Sequence, residues 1–472
     1  MKRLITTIAM LILLGGVSVK ATDGIWTNTA GDRLWSTVGN WTNGVIAEGI
    51  DSTASFIRTT GVTVTNDLSN LTNGNFFVTN ANYTIAGSNI TLATASGTST
   101  FNVASSRTLT MSTALQGTNT LYMIGGGTLT LSVSNSYTGG TVINGGTLTL
   151  SANSSLGATN STLTLNANTT LPNSINYGTR PVVLNNGAIF FGLGITSFTI
   201  GGPISGDGGF QVSNSGPQNG SGTFNLTSTN NTFTGPIYLS GGTYTPTVNL
   251  ASIGDAPGAG VIGFVGGNSG IFRVTGGSSP MVLNYRKFQL GYNFHTPTIY
   301  NDNSSNANTL TVNSDIIVTA TANLPFVLRG SNIGDNNFAG LITNGANSVI
   351  SVTKTDGGKW ILSGTNTYTG TTTISAGILG STHSACFSDA STIDIGASGT
   401  LNLNFAGADT VTSFKLSGVM QVKGTWGSLA SSAMNKTARI TGTGLLQVGL
   451  PEYVVKIPLE QNRLYEQNKL YQ

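Results

Sequence analysis

A repeated phrase constrains the fold more than any other feature of this sequence. Gly-Gly-Thr-Leu-Thr-Leu-Ser begins at Gly126 and again at Gly145, nineteen residues later. In both copies polar and apolar residues alternate, which places the leucines on one face of a β-strand and the threonines on the other. The same alternation returns in segments 108–112, 162–166, 309–313 and 400–404. With almost no helical periodicity, the sequence predicts an all-β protein built from short strands.

The phrase belongs to a longer motif, in which an alternating strand is followed by a polar turn, Asn-x-Tyr/Phe-Thr-Gly and a second strand. Complete copies occupy residues 127–148, 222–244 and 358–379, and a fragment covers 336–340. A unit of about 20 residues cannot bury its own apolar face, so the copies are expected to stack as coils of a parallel β-solenoid. Leu129 and Leu148 would then lie about 4.8 Å apart in adjacent coils. At this coil length, about 400 residues would form roughly 20 coils.

The motif assigns structural roles to its apolar, aromatic and glycine positions. Aromatic residues recur at one position of each copy, which indicates packing in the core or at a corner. The residues expected to have these roles are Leu129, Leu131, Tyr137, Gly139, Leu148, Phe233, Gly235, Tyr368 and Gly370.

The motif resembles the autotransporter-associated β-strand repeat, which occurs in bacterial passenger domains and large exported proteins. The opening stretch with Trp26, Trp35 and Trp41 is similar to the start of such proteins. The resemblance implies a right-handed parallel β-helix (β-solenoid) at the cell exterior, and it implies no catalytic residues. The tryptophans are expected to cover the open first coil, with stacking on sugar rings as the alternative.

Composition narrows the possible partners. Charged residues make up 8% of the chain and hydrophobic residues 38%, which indicates a folded protein with few surface charges. Three of the cations lie in a basic and apolar N-terminal segment that has the order of a secretory signal peptide, with cleavage expected after Ala21. The mature chain would then be nearly neutral, so we expect no nucleic-acid partner and no transmembrane segment.

These observations predict four regions. Residues 1–21 form the signal peptide, 22–58 a Trp-rich N-terminal capping segment, 59–449 the β-solenoid body and 450–472 a charged, non-repetitive C-terminal tail. The tail lacks the solenoid motif, although the phrase Glu-Gln-Asn-Arg/Lys-Leu-Tyr occurs in it twice. Its role as a cap, an export address, a docking segment or a frayed terminus stays open.

Candidate chemistry is sparse. His383 and Cys386 are three residues apart, but a zinc site usually needs a second pair of ligands. The aspartates are mostly single and flanked by turn residues, which favours turn roles over catalysis, including for Asp389 and Asp394. We therefore expect no catalytic residues, no metal and no cofactor.

One segment is both aromatic and basic, and it is the candidate ligand-binding site. It contains Arg286, Lys287 and Tyr292, although a buried irregular strand is the competing interpretation. The leading functional hypothesis is a non-enzymatic, adhesin-like scaffold that is secreted or held at the cell surface, where outer-membrane association is possible. Its expected partners are cell-surface or extracellular polysaccharide, or further copies of itself. The alternatives are a polysaccharide lyase or hydrolase on a β-helix and a glycan-binding module without turnover.

Overall fold

The computed structural model describes residues 21–449 apart from 167–169, 172–174, 187, 193–197, 215–222, 242–246, 267–269 and 292–295. The expected signal peptide up to residue 20, Tyr292 and the tail at 450–472 lie outside these residues. The chain divides into two compact units, Met1–Ile189 and Phe190–Gln472. Stacked coils of short parallel strands confirm the all-β solenoid fold class.

Helices are rare in the described part of the chain. They are three single turns of 3₁₀ type, Val38–Asn40, Thr42–Gly44 and Asn153–Leu156. None of the described helices has the length and apolar character that crossing a bilayer requires.

The first unit contains two stacks of parallel strands, and each coil contributes strands to both. Their order follows the chain, as expected when each coil lies on the one before it. One stack contains Gly24–Trp26, Gly49–Phe56, Leu71–Val78, Ile90–Leu92, Thr98–Val103, Leu115–Gln116, Thr120–Ile124, Thr141–Ile143, Leu163–Leu165 and Val182–Leu184. The other contains Thr63–Asn66, Tyr83–Gly87, Thr108–Met111, Thr128–Leu131, Thr147–Leu150 and Thr170–Leu171. Parallel pairing begins at Gly24, inside the segment expected to be a cap.

Strand register aligns like residues in the first unit. Leu129 pairs with Leu148 in the next coil and with Leu109 in the previous one, and all three side chains are completely buried. A second buried row runs parallel to it and consists of Val64, Ile85, Met111, Leu131 and Leu150. The core is therefore a set of rows in which each apolar side chain contacts its counterparts above and below.

The second unit repeats this plan with longer coils. Its larger sheet contains Phe198–Ile200, Thr223–Leu226, Thr247–Leu250, Ile271–Val274, Met281–Leu283, Thr298–Asn301, Leu310–Val312, Leu324–Arg329, Asn336–Phe338, Ile350–Lys354, Lys359–Leu362, Thr371–Ser381, Thr392–Leu403, Ser413–Leu416, Val419–Met420 and Ile440–Gly442. A second stack contains Gly209–Asn214, Ile237–Gly241, Ile262–Phe264, Phe288–Leu290 and Ile317–Val318. The remaining strands are Ile204–Ser205, Ala408–Val411, Gly424–Gly427, Asn435–Lys436 and Leu445–Val448, and Ala188–Gly192 includes the boundary between the units.

Coil length varies along the chain. Thr128 pairs with Thr147, which is nineteen residues on, whereas Thr298 pairs with Val327, which is twenty-nine residues on. The described strands make about 14 turns, so the expectation of roughly 20 coils was wrong. It assumed one circuit length, but the turns between strands absorb extra residues without changing strand register.

The C-terminal part of the described chain departs from purely parallel stacking. Ser413–Leu416 and Val419–Met420 form an antiparallel hairpin. Its two connecting residues, Ser417 and Gly418, have φ values of 52° and 82°, as a tight hairpin turn requires. Gly424–Gly427 is also antiparallel to Leu445–Val448. The sequence pattern indicated coils up to residue 449 and did not predict these pairings.

The asparagine of each motif copy ties three coils together. Asn366 Oδ1 accepts a hydrogen bond from the backbone N–H of Ile342 at 2.8 Å, and its Nδ2 donates to the carbonyl oxygen of Cys386 at 2.7 Å. These backbone groups belong to the preceding and following coils. The same pair of bonds is made by Asn135 with Leu115 and Ser155, by Asn231 with Ile204 and Ser252, and by Asn336 with Leu310 and Lys359.

Packing explains why the other motif positions carry an aromatic residue or glycine. Tyr137 and Tyr368 are completely buried, and each shares a hydrogen bond with a threonine hydroxyl four residues on, at 2.6 and 2.5 Å. The motif glycine lies against the backbone of the preceding coil: a Cβ on Gly235 would be 2.1 Å from the carbonyl carbon of Gly208. Only glycine fits such a contact.

The two bonds of the motif asparagine to the preceding and following coils, called the asparagine clamp below, predict that one side chain has a large effect on stability. Asn366→Ala should lower the free energy of unfolding by about 2–4 kcal/mol, because it leaves a backbone N–H and a carbonyl unpaired in a buried position. Thr365→Ala, one residue away and exposed, is the control and should change stability by about 0.5 kcal/mol or less. Urea unfolding followed by circular dichroism measures both, and equal midpoints for the two variants would contradict the clamp.

Candidate functional site

The structure separates the residues of the predicted ligand-binding segment. Arg286 is completely buried, whereas the neighbouring Lys287 is exposed. Tyr292 lies outside the described residues. The two placed residues lie in the connection before the strand Phe288–Leu290, one buried and one exposed, and do not form one surface.

Arg286 is held inside the second unit by backbone carbonyl groups. Its guanidinium donates to the carbonyl oxygens of Phe233, Gly235, Gly254 and Gly260, at 2.5 to 2.9 Å. Burial lowers the pKa of Arg286 to about 10, and the group stays charged at neutral pH. These bonds reach carbonyl groups of the two preceding coils, and they stabilise the turns around the motif aromatic Phe233.

Arg180 has the same role in the first unit. Its guanidinium is buried and donates to the carbonyl oxygens of Gly157, Ala158 and Ser161, at 2.8 to 3.2 Å. In both units the arginine follows a motif copy by two coils, and it binds the turn of the intervening coil. This role could not be predicted from the sequence, because a lone arginine carries no periodic signal. The available indication was the distance in sequence between the arginine and the preceding motif copy.

Aspartate carboxylates also serve the backbone. At least nine of those in the described part of the chain accept a backbone N–H from a residue more than twenty positions away. These pairs are Asp23 with Thr53, Asp51 with Ala95, Asp67 with Ser36, Asp255 with Arg286, Asp302 with Ser331, Asp315 with Leu341, Asp356 with Gly330, Asp394 with Gly418, and Asp409 with Phe387. Such carboxylates fasten one coil to another, as expected of turn aspartates.

The histidine and cysteine of the sequence analysis bind backbone groups as well. Cys386 is buried with its thiol 3.1 Å from the carbonyl oxygen of Leu362. The ring of His383 contacts the carbonyl oxygen of Ser363 and accepts the backbone N–H of Ala385. Within the described ranges, no group of three or more His, Cys, Asp or Glu side chains is placed to hold a metal ion.

The N-terminal tryptophans form an aromatic cluster. Trp26 and Trp35 are completely buried, and both rings lie 5.0 Å from the ring of Trp41. Phe56 packs against all three. Their faces contact one another, so they offer no surface on which a sugar ring could stack.

Two buried charged groups have strongly shifted pKa values. Burial raises the pKa of Asp409 to about 7, while its Oδ2 accepts the backbone N–H of Phe387 at 3.1 Å. Burial also lowers the pKa of Lys354 to about 8, although its ammonium group donates to three backbone carbonyls. Both groups are enclosed by the coils, which indicates structural roles.

The outer face of the first unit carries an aligned row of threonines. Each member pairs in register with the next, and all are exposed or half-exposed, so hydroxyl and methyl groups repeat at the strand spacing of about 4.8 Å. The row consists of Thr63, Thr84, Thr110, Thr130 and Thr149.

The outer face of the second unit carries a row of planar polar side chains. Asn225, Asn249, Arg273, Tyr300 and Arg329 pair in register across five coils. The guanidinium carbons of Arg273 and Arg329 lie 4.4 and 4.9 Å from the ring centroid of Tyr300. Two of the five members of this row are arginines.

Comparisons with known proteins agree with this architecture. Residues 121–150, 218–243 and 352–379 match the passenger-associated-transport-repeat family, and these segments overlap the three complete motif copies. A curated relative, the Adhesin BmaC autotransporter of Brucella suis biovar 1 (strain 1330), is 30% identical over 276 residues. The chain is a β-solenoid that contains three passenger-associated-transport repeats and is similar in sequence to an autotransporter adhesin. The resemblance stated from the motif is thereby confirmed.

The match to the adhesin is local. It covers 54% of this chain and 8% of the relative. No solved structure matches the chain significantly.

Asp409 predicts a pH dependence of stability. Its pKa in the folded chain is about 7 and its usual value is 3.8, so the folded state binds the proton more tightly. The resulting stabilisation is complete below pH 3.8 and is lost as the pH rises through 7. We expect Asp409→Asn to be more stable than the wild type by about 1–3 kcal/mol at pH 8, and the difference to shrink towards pH 4.

Urea unfolding at a series of pH values measures this difference. Asp394→Asn, the same change at a half-exposed carboxylate, controls for the substitution itself. A stability difference between Asp409→Asn and wild type that is constant from pH 4 to pH 8 would show that Asp409 does not titrate in this range.

Proposed function

We propose that this protein is an exported, non-enzymatic scaffold that adheres to surface polysaccharide through many weak contacts along its outer faces. The observation that carries the proposal is the register-aligned threonine row of the first unit, which repeats one hydrogen-bonding group over five consecutive coils. Each hydroxyl contributes little alone. Many contacts made together raise the overall affinity because the later ones are intramolecular.

The passenger repeats and the similarity to an autotransporter adhesin support export to the cell surface or the surrounding medium. The use of the described polar groups supports the non-enzymatic part. At least nine of the described aspartates bind backbone N–H groups of distant residues, and the buried arginines Arg180 and Arg286 bind carbonyl groups, so these side chains fasten coils together. The mature segment is expected to start after the signal peptide at 1–21.

Graded substitution of the threonine row tests multivalency. Thr130→Val keeps the shape of the side chain and removes its hydroxyl group, and it should reduce adhesion of the purified protein to polysaccharide-coated beads by about twofold or less. The quadruple variant with valine at positions 84, 110, 130 and 149 should reduce adhesion by about tenfold or more. The matched threonine-to-serine quadruple variant keeps the hydroxyls and should adhere nearly as wild type.

A polysaccharide lyase or hydrolase would behave differently. It would release soluble oligosaccharides from the polysaccharide, and substitution of one carboxylate would abolish that release. Release of sugars by the purified chain, or loss of all adhesion in the single Thr130→Val variant, would overturn the proposal.

A further inference from the structure

Ion pairs in this charge-poor protein are concentrated in one stretch of the second unit. The three among the described residues are Arg273 with Asp302, Arg329 with Asp356 and Lys359 with Asp335. The first two belong to the planar polar row on the outer face. The charged side chains of these coils are therefore grouped in ion pairs instead of being distributed singly over the surface.

Arg273 differs from the other arginines discussed above. Arg180 and Arg286 spend their donors on backbone carbonyls, and Arg329 makes a two-bond contact with Asp356 at 3.0 Å. Among the described residues Arg273 donates no hydrogen bond, and its buried Nε has no hydrogen-bond partner. Its contacts are the Tyr300 ring and Asp302 Oδ2, which lies 3.4 Å from Nε.

The guanidinium of Arg273 is thus oriented while its terminal donors stay available. The Tyr300 ring supports one face of the guanidinium, and the carboxylate of Asp302 is itself held by the backbone N–H of Ser331 at 2.9 Å. The side chain of Arg273 is 31% exposed. An oriented planar fork of donors with access to solvent is the arrangement that binds a carboxylate with two parallel hydrogen bonds.

A shallow depression lies near Arg273, which is not itself part of the lining. It has a volume of about 200 Å³, and its lining includes Asn225, Asn249 and Thr275. Asn249 pairs in register with Arg273, so the depression and the guanidinium are neighbours on adjacent strands. The site therefore places the unused terminal donors of Arg273 beside a depression with polar side chains in its lining, which suits a carboxylate next to a hydroxyl group.

Sugar acids carry this pair of groups on one ring. We propose that the outer face at Arg273 binds a carboxylate-bearing residue of an acidic polysaccharide, with the carboxylate on the Arg273 guanidinium and the hydroxyl-bearing ring in the neighbouring depression. The row from Asn225 to Arg329 extends over four strand spacings, about 19 Å, and is long enough to contact several linked sugars. This assignment adds a ligand class to the proposed adhesive function and rests on it.

Binding of short soluble oligosaccharides tests the site separately from adhesion. Oligogalacturonate is the probe, and the same oligomer with methyl-esterified carboxyl groups is the neutral comparison. We expect the wild-type chain to bind the charged oligomer in isothermal titration calorimetry, with affinity that falls as salt is raised. The esterified oligomer should bind roughly tenfold or more weakly.

Variants assign the effect to residues. Arg273→Gln should weaken binding of the charged oligomer roughly tenfold or more, and Arg273→Lys, which keeps the charge without the fork, should fall between. Asn249→Asp places a second carboxylate beside the ligand and should also weaken binding. Lys287→Gln removes an exposed cation elsewhere on the second unit and should bind as wild type.

Equal affinities of Arg273→Gln and wild type, or equal binding of charged and esterified oligomers, would overturn this proposal. The bead-adhesion measurement then separates the two inferences. If adhesion persists and responds to the threonine row, the adhesive function holds and only the carboxylate site fails. If adhesion is absent while oligogalacturonate still binds through Arg273, the site holds and the adhesive function fails.

Discussion

The bonds of one asparagine side chain to two other coils are the contact on which the rest of the structure depends. An amide group has one acceptor and one donor end, and in each motif copy they satisfy an N–H of the coil before and a carbonyl of the coil after. The apolar rows set what stacks on what, but they do not fix the direction in which a turn leaves the strand. The asparagine does so at the corner, where the backbone would otherwise carry unpaired polar groups.

Charge in this molecule serves the same purpose. Arg180 and Arg286 each lie two coils after a motif aromatic and bind carbonyl oxygens of the turns between, and aspartates bind backbone N–H groups. The sequence has only 37 charged residues in 472, and several of them are buried, among them Arg180 and Arg286. Threonine, serine and asparagine side chains therefore provide the polar groups that contact water at the surface. Arg273 stands apart because its position is fixed while its terminal hydrogen-bond donors are unused.

Much of this fold could be predicted from the sequence. Period-two alternation and the nineteen-residue repeat gave strand direction and stacking, and they gave the inward position of the motif leucines. The pattern could not give coil number, because turn length is not encoded in the repeat. It also missed the hairpin at Ser417 and Gly418, whose only signal is a short polar turn. At the candidate site, the basic and aromatic segment around Arg286 drew notice by composition, whereas Arg273 has meaning only through Tyr300 and Asn249, which lie in neighbouring coils.

Coil circumference changes from nineteen to twenty-nine residues while the paired strands keep their register. The length of a turn can thus change without changing the pairing of the strands that it connects. A foreign peptide grafted into one of the long corners would be displayed at a fixed height along the stack without disturbing the coils on either side. Each long turn can therefore be exchanged separately, and the displayed segment changes while the stacked strands stay the same.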